Sequence, residues 1–254
     1  MKYFIITGTS RGIGESIAEQ LISPNHYLYC ISRGKNADLV RKSKNIKYYE
    51  VDLNQFQQIE SLMESIFNSI DFSKAVGIYL INNASIIAPV TFIDTAMISD
   101  ITQNINVNLI APILLTSLFI KNSNKYLIEK RILNISSASV KYHHPGMSLY
   151  SAAKAGLDVF SQCVGLEQNH SIAPVGVVSI WPGMIDTNLQ REARNQDKST
   201  FPSANLFQNV KDAGMLSTPE ETAKQIIEFL FKTDFEHGTV VDIYDYSKVQ
   251  QTYD

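Results

Sequence analysis

Seven short runs rich in β-branched and aromatic residues alternate with longer stretches of helical periodicity. The runs are KYFIIT, YLYCIS, IKYYEV, GIYLIN, RILNIS, VGVVSI and TVVDIY. Each run is almost continuously apolar, which is typical of strands that helices cover on both faces. The order predicts an α/β fold with a doubly wound, seven-stranded, mostly parallel sheet. Because no repeat or composition shift divides the 254 residues, we expect a single domain over residues 1–254.

Composition and charge argue against several other classes of protein. Apolar residues make up 44% of the chain and charged residues 19%, which is typical of a soluble globular protein. A formal net charge of -3 offers no basic surface for nucleic acid. No apolar run in the sequence is expected to reach the length of a membrane span. We therefore expect no nucleic acid and no membrane as partners, and a cytoplasmic location.

The cysteines and histidines show no disulfide or metal pattern. Cys30 and Cys163 lie far apart in apolar periodic segments, so we expect two buried free thiols in a reducing compartment. The five histidines have no metal-ligand spacing with cysteines or paired carboxylates. We expect no metal.

A glycine-rich turn follows the first strand and leads into a helical pattern that begins at Glu15. The turn reads Thr7-Gly8-Thr9-Ser10-Arg11-Gly12-Ile13-Gly14. Gly8 suits a tight turn, while Gly12 and Gly14 let the main chain approach a pyrophosphate at the helix N-terminus. Strand, turn and helix in this order predict a dinucleotide site of the Rossmann type. A purely structural turn is the alternative.

The end of the second strand predicts which dinucleotide binds. In an NAD site an acidic residue commonly accepts a hydrogen bond from the ribose 2′-hydroxyl at this position, whereas this chain has Arg33. The guanidinium groups of Arg33 and Arg11 suit a 2′-phosphate, so NADP(H) is the expected coenzyme. Asp52 and Leu53, at the end of the third strand, are expected near the adenine. The alternatives are a solvated cation for Arg33 and a helix cap for Asp52.

A tyrosine followed four residues later by a lysine occurs three times, as Tyr126/Lys130, Tyr150/Lys154 and Tyr244/Lys248. The spacing places both side chains on one face of a helix. Only Tyr150 has a serine, Ser137, thirteen positions upstream, so we interpret the other pairs as surface coincidences. A phenol has a reference pKa of about 10, which a neighbouring ammonium lowers. Tyr150 is the expected general acid of a carbonyl reduction, with Lys154 as its electrostatic partner.

Ser137 and Asn108 complete the expected catalytic group. Ser137 would hydrogen-bond the substrate oxygen where negative charge develops. Asn108 is the candidate for holding a water that connects Lys154 to solvent. A helix-interior amide bonded to the backbone is the alternative for Asn108.

Together these motifs resemble the short-chain dehydrogenase/reductase family over almost the whole chain. The resemblance rests on Thr7 to Gly14, Asn82-Asn83-Ala84, Asn108, Ser137, Tyr150, Lys154 and Pro182-Gly183, in that order. Within the family it is strongest to the bacterial benzil reductases that form (S)-benzoin, which are similar to sepiapterin reductases. It implies an NADP-dependent oxidoreductase that acts on CH–OH or C=O groups. The cofactor contacts it implies are Gly8, Ser10, Arg11, Gly12, Ile13, Gly14, Arg33, Asp52, Leu53, Asn83, Ala84, Tyr150, Lys154, Pro182, Gly183, Ile185 and Thr187.

The resemblance also implies individual roles and shows one departure. Asn83 and Ala84 would border the adenine ribose, and Thr187 would hydrogen-bond the nicotinamide carboxamide. A strand-end turn is the alternative role of Asn82 and Asn83. Where the family usually has Asn-Asn-Ala-Gly, this chain has Ser85 in the last place, and its Cβ is expected to restrict the turn.

The least regular segment, Met184 to Met215, is interpreted as a mobile substrate lid at about 184–216. A pocket for a bulky, flat ketone or 1,2-diketone could be lined by Ile86, Ile87, Tyr142, Met147, Met184, Leu189, Phe201 and Phe207. Alternatively, these side chains only pack the lid onto the core. His143 and His144 are expected to be exposed, and a benzil-like substrate follows from the resemblance alone.

Two other functions stay open. A 3-oxoacyl thioester reductase would need a basic entry surface, for which only Lys141, Arg191, Arg194 and Lys198 are available. A non-catalytic NADP(H)-sensing protein would be expected to lack the tyrosine or the lysine. The resemblance further implies a small-molecule carbonyl substrate and a homodimer or homotetramer, formed through the helices that carry Asn108 and Tyr150.

Overall fold

The fold of this chain is taken from a computed structural model, which describes residues 1–235 and 237–244. Its strands are β1 (Lys2–Thr7), β2 (His26–Ser32), β3 (Ile46–Glu50), β4 (Gly77–Asn82), β5 (Glu129–Ile135), β6 (Gly176–Trp181) and β7 (Thr239–Asp242). They form one sheet in the order β3-β2-β1-β4-β5-β6-β7, and every neighbouring pair is parallel. The predicted α/β sheet is therefore confirmed. The strand order reverses between β1 and β4, which opens a crevice at their carboxyl ends.

Helices cover both faces of the sheet. They are α1 (Gly12–Gln20), α2 (Ala37–Arg41), α3 (Ile59–Asn68), α4 (Ile98–Ile105), α5 (Ala111–Ser123), α6 (Ser148–Gln168), α7 (Asn188–Arg194), α8 (Ala204–Asp212) and α9 (Pro219–Leu230). Successive β1 side chains point to opposite faces, so Ile5 joins a core cluster with Phe119 of α5 and Ile6 joins one with Ile226 of α9. This arrangement is the doubly wound architecture that the sequence predicts.

The helical stretch Ile98–Ser123 corrects one expectation. Its length and mean hydropathy of 1.4 would allow it to cross a membrane, judged by length and composition alone. A π-helical turn, Asn106–Ile110, joins α4 to α5 within this stretch. Leu115 and Phe119 are fully buried in the core, and the polar side chains of Asn104 and Asn108 are buried too. The apolar window of this stretch is 44% buried, so part of it packs in the core of the domain.

Cys163 also differs from expectation. Cys30 is buried as predicted, and its burial raises the pKa of its thiol to about 12. Cys163 is exposed, because α6 buries Leu157 and Val164 and turns Cys163 to the opposite side. Helical spacing predicts the helix but leaves open which of its faces is buried.

Lys130 is not the surface residue that we expected. It is 3% exposed and belongs to β5, so it shares no helix with Tyr126. Its Nζ donates to the carbonyl oxygens of Tyr126 at 2.9 Å and Ala173 at 2.8 Å. These bonds satisfy a buried ammonium and tie two loops to the sheet. Of the third pair, Tyr244 is exposed, and Lys248 lies outside the described residues.

Candidate active site

A cavity of about 930 Å³ lies at the carboxyl ends of the central strands. Most predicted site residues line it: Gly8, Ser10, Arg11, Gly12, Ile13, Arg33, Asp52, Leu53, Asn83, Ala84, Ser137, Tyr150, Lys154, Pro182, Gly183, Ile185 and Thr187. Gly14 and Asn108 do not line it and lie behind its wall. The fold therefore brings the glycine turn and the tyrosine–lysine pair to one space.

The glycine turn needs glycine for two different reasons. Gly8 and Gly12 have positive φ angles of 76° and 61°, which side-chain-bearing residues rarely adopt. Gly14 has no such angle, but a Cβ there would lie 2.3 Å from the carbonyl oxygen of Gly8 and 2.4 Å from Nδ2 of Asn83. Helix α1 begins at Gly12, not at Glu15 as predicted, and no side-chain hydrogen bond caps it. An anion could satisfy the amide groups of its first turn.

Thr7 joins the two central strands beside this turn. Its Oγ1 accepts from the backbone N–H groups of Asn83 at 2.9 Å and Ala84 at 3.0 Å. Nδ2 of Asn83 donates to the Thr7 carbonyl oxygen at 3.0 Å. These bonds agree with the strand-end alternative for Asn83, and Asn82 is buried away from the cavity, 2% exposed. A hydroxyl at the end of β1 was the only sequence signal for the role of Thr7.

The rim of the cavity carries two arginines where we expect the adenosine of the coenzyme. Arg11 and Arg33 are both exposed and line the cavity, and neither forms an ion pair within residues 1–235 and 237–244. Asp52 also lines the cavity, while its Oδ1 accepts from the N–H of Asn54 at 3.0 Å. Asp52 thus stabilises a turn on the cavity wall, but it is not the helix cap of the alternative, since the helix Phe56–Gln58 has Gln55 as its N-cap.

Tyr150 and Lys154 occupy the first two turns of α6. Tyr150 is 6% exposed and Lys154 is 2% exposed. Nζ of Lys154 donates to the carbonyl oxygen of Ile135 at 2.8 Å and lies 5.7 Å from the centre of the Tyr150 ring. Ser137 follows β5, and its Oγ accepts from the N–H of Ser139 at 3.1 Å. All three polar groups face one end of the cavity.

Burial acts on both titratable groups of the pair. It raises the pKa of Tyr150, and hydrogen bonds from the Ser137 and Ser85 hydroxyls oppose this rise. Burial lowers the pKa of Lys154 to about 8, and the Asp158 carboxylate opposes this fall. We expected Lys154 to lower the pKa of Tyr150, but burial of the phenol dominates, and the ammonium is bonded to Ile135.

Asp158 is a buried carboxylate that the sequence analysis missed. It lies one helical turn beyond Lys154, is 4% exposed, and accepts from Nε1 of Trp181 at 2.9 Å and from the Ser179 hydroxyl. Continuing the four-residue spacing from Tyr150 and Lys154 by one more step would have found it.

The side chain of Asn108 is fully engaged by protein groups. Its Oδ1 accepts from Oγ of Ser85 at 2.8 Å and from the N–H of Ile86 at 3.0 Å. Its Nδ2 donates to the Ile86 carbonyl oxygen at 2.8 Å and to Oδ1 of Asn104 at 3.0 Å. The alternative of an amide bonded to the backbone agrees with these contacts. The Cβ of Ser85, which we expected to restrict the turn, causes no positive φ there, since no described non-glycine residue has one.

The lid is more regular than predicted. It contains α7 and α8, and Thr187 caps α7 by accepting from the N–H of Gln190 at 3.4 Å. Asp186 forms ion pairs with Arg194 and Lys211. These contacts hold the segment over the cavity, and its mobility stays a prediction.

The cavity wall is largely apolar where we expect the substrate. It is lined by Ile86, Ile87, Tyr142, Met147, Met184, Leu189 and Phe207, as predicted. Phe201 is an exception: it is fully buried among Ile87, Met147 and Tyr150, so it packs the lid onto the core. His143 is exposed as expected, whereas His144 is half-buried, lines the cavity, and its Nδ1 lies 2.9 Å from the Ser203 hydroxyl. Among residues 1–235 and 237–244, no three metal-ligating side chains cluster.

Comparison with known proteins identifies the family. The family model described as short chain dehydrogenase matches residues 2–198. The chain belongs to the short-chain dehydrogenase/reductase family. The resemblance predicted from the motifs is thus confirmed, and the chain is an oxidoreductase of CH–OH or C=O groups.

Individual relatives within the family match almost the whole chain. A benzil reductase ((S)-benzoin forming) from Bacillus cereus is 36% identical over 96% of this chain and 99% of its own length. A sepiapterin reductase from Rattus norvegicus is 26% identical over 95% of both chains. The crystal structure of a short chain dehydrogenase/reductase from Saccharomyces cerevisiae has a TM-score of 0.83 at 19% identity, covering 96% of both chains. That last likeness supports the fold alone.

Proposed function

We propose that this chain is an NADPH-dependent carbonyl reductase for a bulky, aromatic ketone or 1,2-diketone. A benzil-like substrate is favoured, and a sepiapterin-like one is also compatible with the relatives. The observation that carries the proposal is one cavity lined by the glycine turn, by Tyr150 and by Lys154. An apolar wall surrounds its substrate end.

The chain's own residues account for the proton side of the reaction. A bound nicotinamide coenzyme supplies the hydride. The Tyr150 hydroxyl donates a proton to the carbonyl oxygen as that oxygen becomes an alkoxide, and Ser137 hydrogen-bonds the same oxygen. Burial raises the pKa of Tyr150, so the phenol holds its proton at neutral pH, as an acid must. The Lys154 ammonium then stabilises the phenolate that remains.

The contacts of the Asn108 side chain bear on the proposed water between Lys154 and solvent. The two donors and the acceptor oxygen of this amide are taken by protein groups, so it has no free group for that water. The role that these contacts support for Asn108 is to hold Ser85 and Ile86 beside the cavity.

The proposed coenzyme is NADP(H). The uncapped N-terminus of α1 and the two positive-φ glycines fit a pyrophosphate. The guanidinium groups of Arg11 and Arg33, which form no ion pair with any residue that the structure describes, fit a 2′-phosphate at the same end of the cavity. We further propose a cytoplasmic location, since the exposed, free Cys163 suits a reducing compartment.

The thioester alternative has less support. Arg194, one of four basic residues available for an entry surface, is paired with Asp186, and its side chain is only 10% exposed. An acidic carrier would therefore meet three exposed basic residues instead of four, namely Lys141, Arg191 and Lys198. The lining of the cavity instead suits an uncharged, flat molecule.

The test compares coenzyme oxidation with benzil, sepiapterin and an acetoacetyl thioester, using NADPH and NADH. We expect NADPH-dependent reduction of benzil, and a Tyr150→Phe variant slower by about 10² to 10⁴-fold, the usual contribution of a general acid. Turnover of the thioester alone would favour the alternative function, a 3-oxoacyl thioester reductase. Tight coenzyme binding without turnover of any of the three would point to a sensor.

A further inference from the structure

Ser85 stands where the family usually has glycine, and its hydroxyl lies within the proposed proton-transfer site. Its Oγ is 2.8 Å from Oδ1 of Asn108. Ser85 and Tyr150 line the same cavity, and the Ser85 hydroxyl opposes the rise in the pKa of Tyr150 that burial causes. Ser85 thus lies between the buried amide of Asn108, which does not line the cavity, and the space that holds the proposed acid.

A serine hydroxyl has one proton and can donate only one hydrogen bond at a time. While it donates to Asn108, its hydroxyl has no proton to offer to Tyr150. Once Tyr150 has lost its proton, the phenolate is the stronger acceptor, because bonds to charged groups exceed neutral ones. Asn108 tolerates the change, since its Oδ1 keeps the N–H of Ile86 at 3.0 Å.

We propose that Ser85 is a positioning residue that turns its hydroxyl from Asn108 to Tyr150 when Tyr150 gives up its proton. The step breaks one hydrogen bond and forms another, and no covalent bond to Ser85 changes. The proton of Tyr150 goes to the substrate oxygen, and the proton of Ser85 stays on its own oxygen. This inference rests on the proposed role of Tyr150 as the acid.

Other groups around the phenol do not replace this donor. Ser137 is needed by the substrate oxygen, and Lys154 is bonded to Ile135. The packing around Tyr150 is otherwise apolar, formed by Ile87, Val90, Met147, Ala193, Phe201 and Ala204. Further titratable groups on the same cavity are His144 after β5, Asp186 and Glu192 of the lid, Asp52 after β3, and Arg11 and Arg33 at the far end.

The test distinguishes the effect of the Ser85 hydroxyl from the effect of any change in the turn that contains it. Ser85→Ala and Ser85→Gly remove the donor, and Ser85→Thr keeps it. Ser123→Ala is the matched control, because the Ser123 hydroxyl is buried at the end of α5 with no hydrogen-bond partner among the described residues. The pH dependence of (S)-benzoin oxidation, which requires the phenolate, is measured for each variant.

We expect Ser85→Ala and Ser85→Gly to move the midpoint of this pH profile to a pH higher by about one unit. This shift corresponds to roughly a tenfold slower oxidation at neutral pH. The thermal midpoint and the KM for coenzyme should stay at parental values, because Ile86 still holds Asn108. Ser85→Thr should keep the parental profile. An unshifted profile in Ser85→Ala, or a shift that Ser85→Thr shares, overturns the proposal.

A second readout does not depend on the substrate. Tyrosinate absorbance is titrated for each variant and for its Tyr150→Phe counterpart, and the difference isolates Tyr150 from the other tyrosines. The same upward shift is expected in Ser85→Ala. If benzoin and benzil do not react with the parent protein, the proposed function fails while this titration still decides the role of Ser85.

Discussion

Tyr150 and Lys154 are subject to opposite demands at the scale of single residues. Burial favours the neutral form of each, which raises the pKa of the phenol and lowers that of the lysine to about 8. A reductase needs the phenol protonated before the reaction and needs the ammonium to stabilise the phenolate afterwards. The carboxylate of Asp158, buried one helical turn from Lys154, opposes the fall in the pKa of Lys154 and so favours its ammonium form. The site therefore depends on a carboxylate outside the cavity.

Asp158→Asn tests this dependence. Without the carboxylate the pKa of Lys154 falls further below its ordinary value, so the ammonium is lost at lower pH as pH rises. We expect the alkaline limb of the pH–rate profile for carbonyl reduction to move downward by about one unit. Glu167→Gln, on the exposed side of the same helix, is the control and should leave the profile unchanged. An unmoved limb in Asp158→Asn would contradict the argument.

Arg33→Ala tests coenzyme choice. Removing the guanidinium should raise the KM for NADPH by about 10 to 100-fold, because a charge-assisted contact to a phosphate is worth a few kcal/mol at most. The KM for NADH should change little. Arg41→Ala is the control, since Arg41 is exposed, pairs with Asp38 and does not line the cavity. Equal effects on both coenzymes would refute the 2′-phosphate role.

The turn between β1 and α1 works as a unit at the scale of elements. Its glycines allow the tight path, Thr7 ties it to β4, and Asn83 fills the space that a Cβ at Gly14 would need. The same contacts leave α1 without a side-chain cap facing the cavity. Packing between two strand ends therefore prepares the turn for an anion before any ligand binds.

Gly14→Ala and Gly34→Ala compare a crowded glycine with an open one. A Cβ at Gly14 would meet the Gly8 carbonyl oxygen at 2.3 Å, whereas a Cβ at Gly34 has nothing within 4 Å. We expect Gly14→Ala to lower the free energy of unfolding by about 1 to 3 kcal/mol and to weaken coenzyme binding. Gly34→Ala should change it by less than about 0.5 kcal/mol. Chemical denaturation measures both, and equal stabilities would argue against the crowding.

At the scale of the whole molecule, an exposed apolar stripe on α6 bears on how the chain assembles. Val159 and Leu166 are 59% and 66% exposed, and Cys163 lies between them on the same helical face. Exposed apolar side chains in a row favour contact with another protein surface. We propose that this stripe contacts a second copy of the chain, consistent with the homodimer or homotetramer that the family resemblance implies.

Val159→Glu combined with Leu166→Glu should therefore yield a monomer, since burying two unpaired carboxylates in an interface is unfavourable. Light scattering coupled to size exclusion measures the mass of parent and variant. Ile172→Glu places the same charge on a residue that is 96% exposed beyond the end of α6, and its assembly should match the parent's. A parent that is already monomeric would disprove the proposed interface.

The sequence by itself determined the α/β fold, all seven strands and the family, because these follow from local periodicity and short motifs. The glycine turn and the Tyr150/Lys154 pair could also be predicted from the sequence. The turn lies within one strand–turn–helix unit, and the pair lies within one helix. The prediction that both serve one site is supported by the cavity that they share. Local sequence order was therefore sufficient to predict these features.

Only the tertiary structure decided which side of each helix or strand is buried in the core and which side faces solvent or the cavity. It put Cys163 at the surface, buried Lys130 and Phe201, placed Ser85 on the cavity wall, and buried Asp158 one helical turn from Lys154. Burial depends on what packs against a residue from distant parts of the chain, and so does the pKa of a buried group. Hydropathy and spacing along the chain do not contain those neighbours, so these features followed from packing alone.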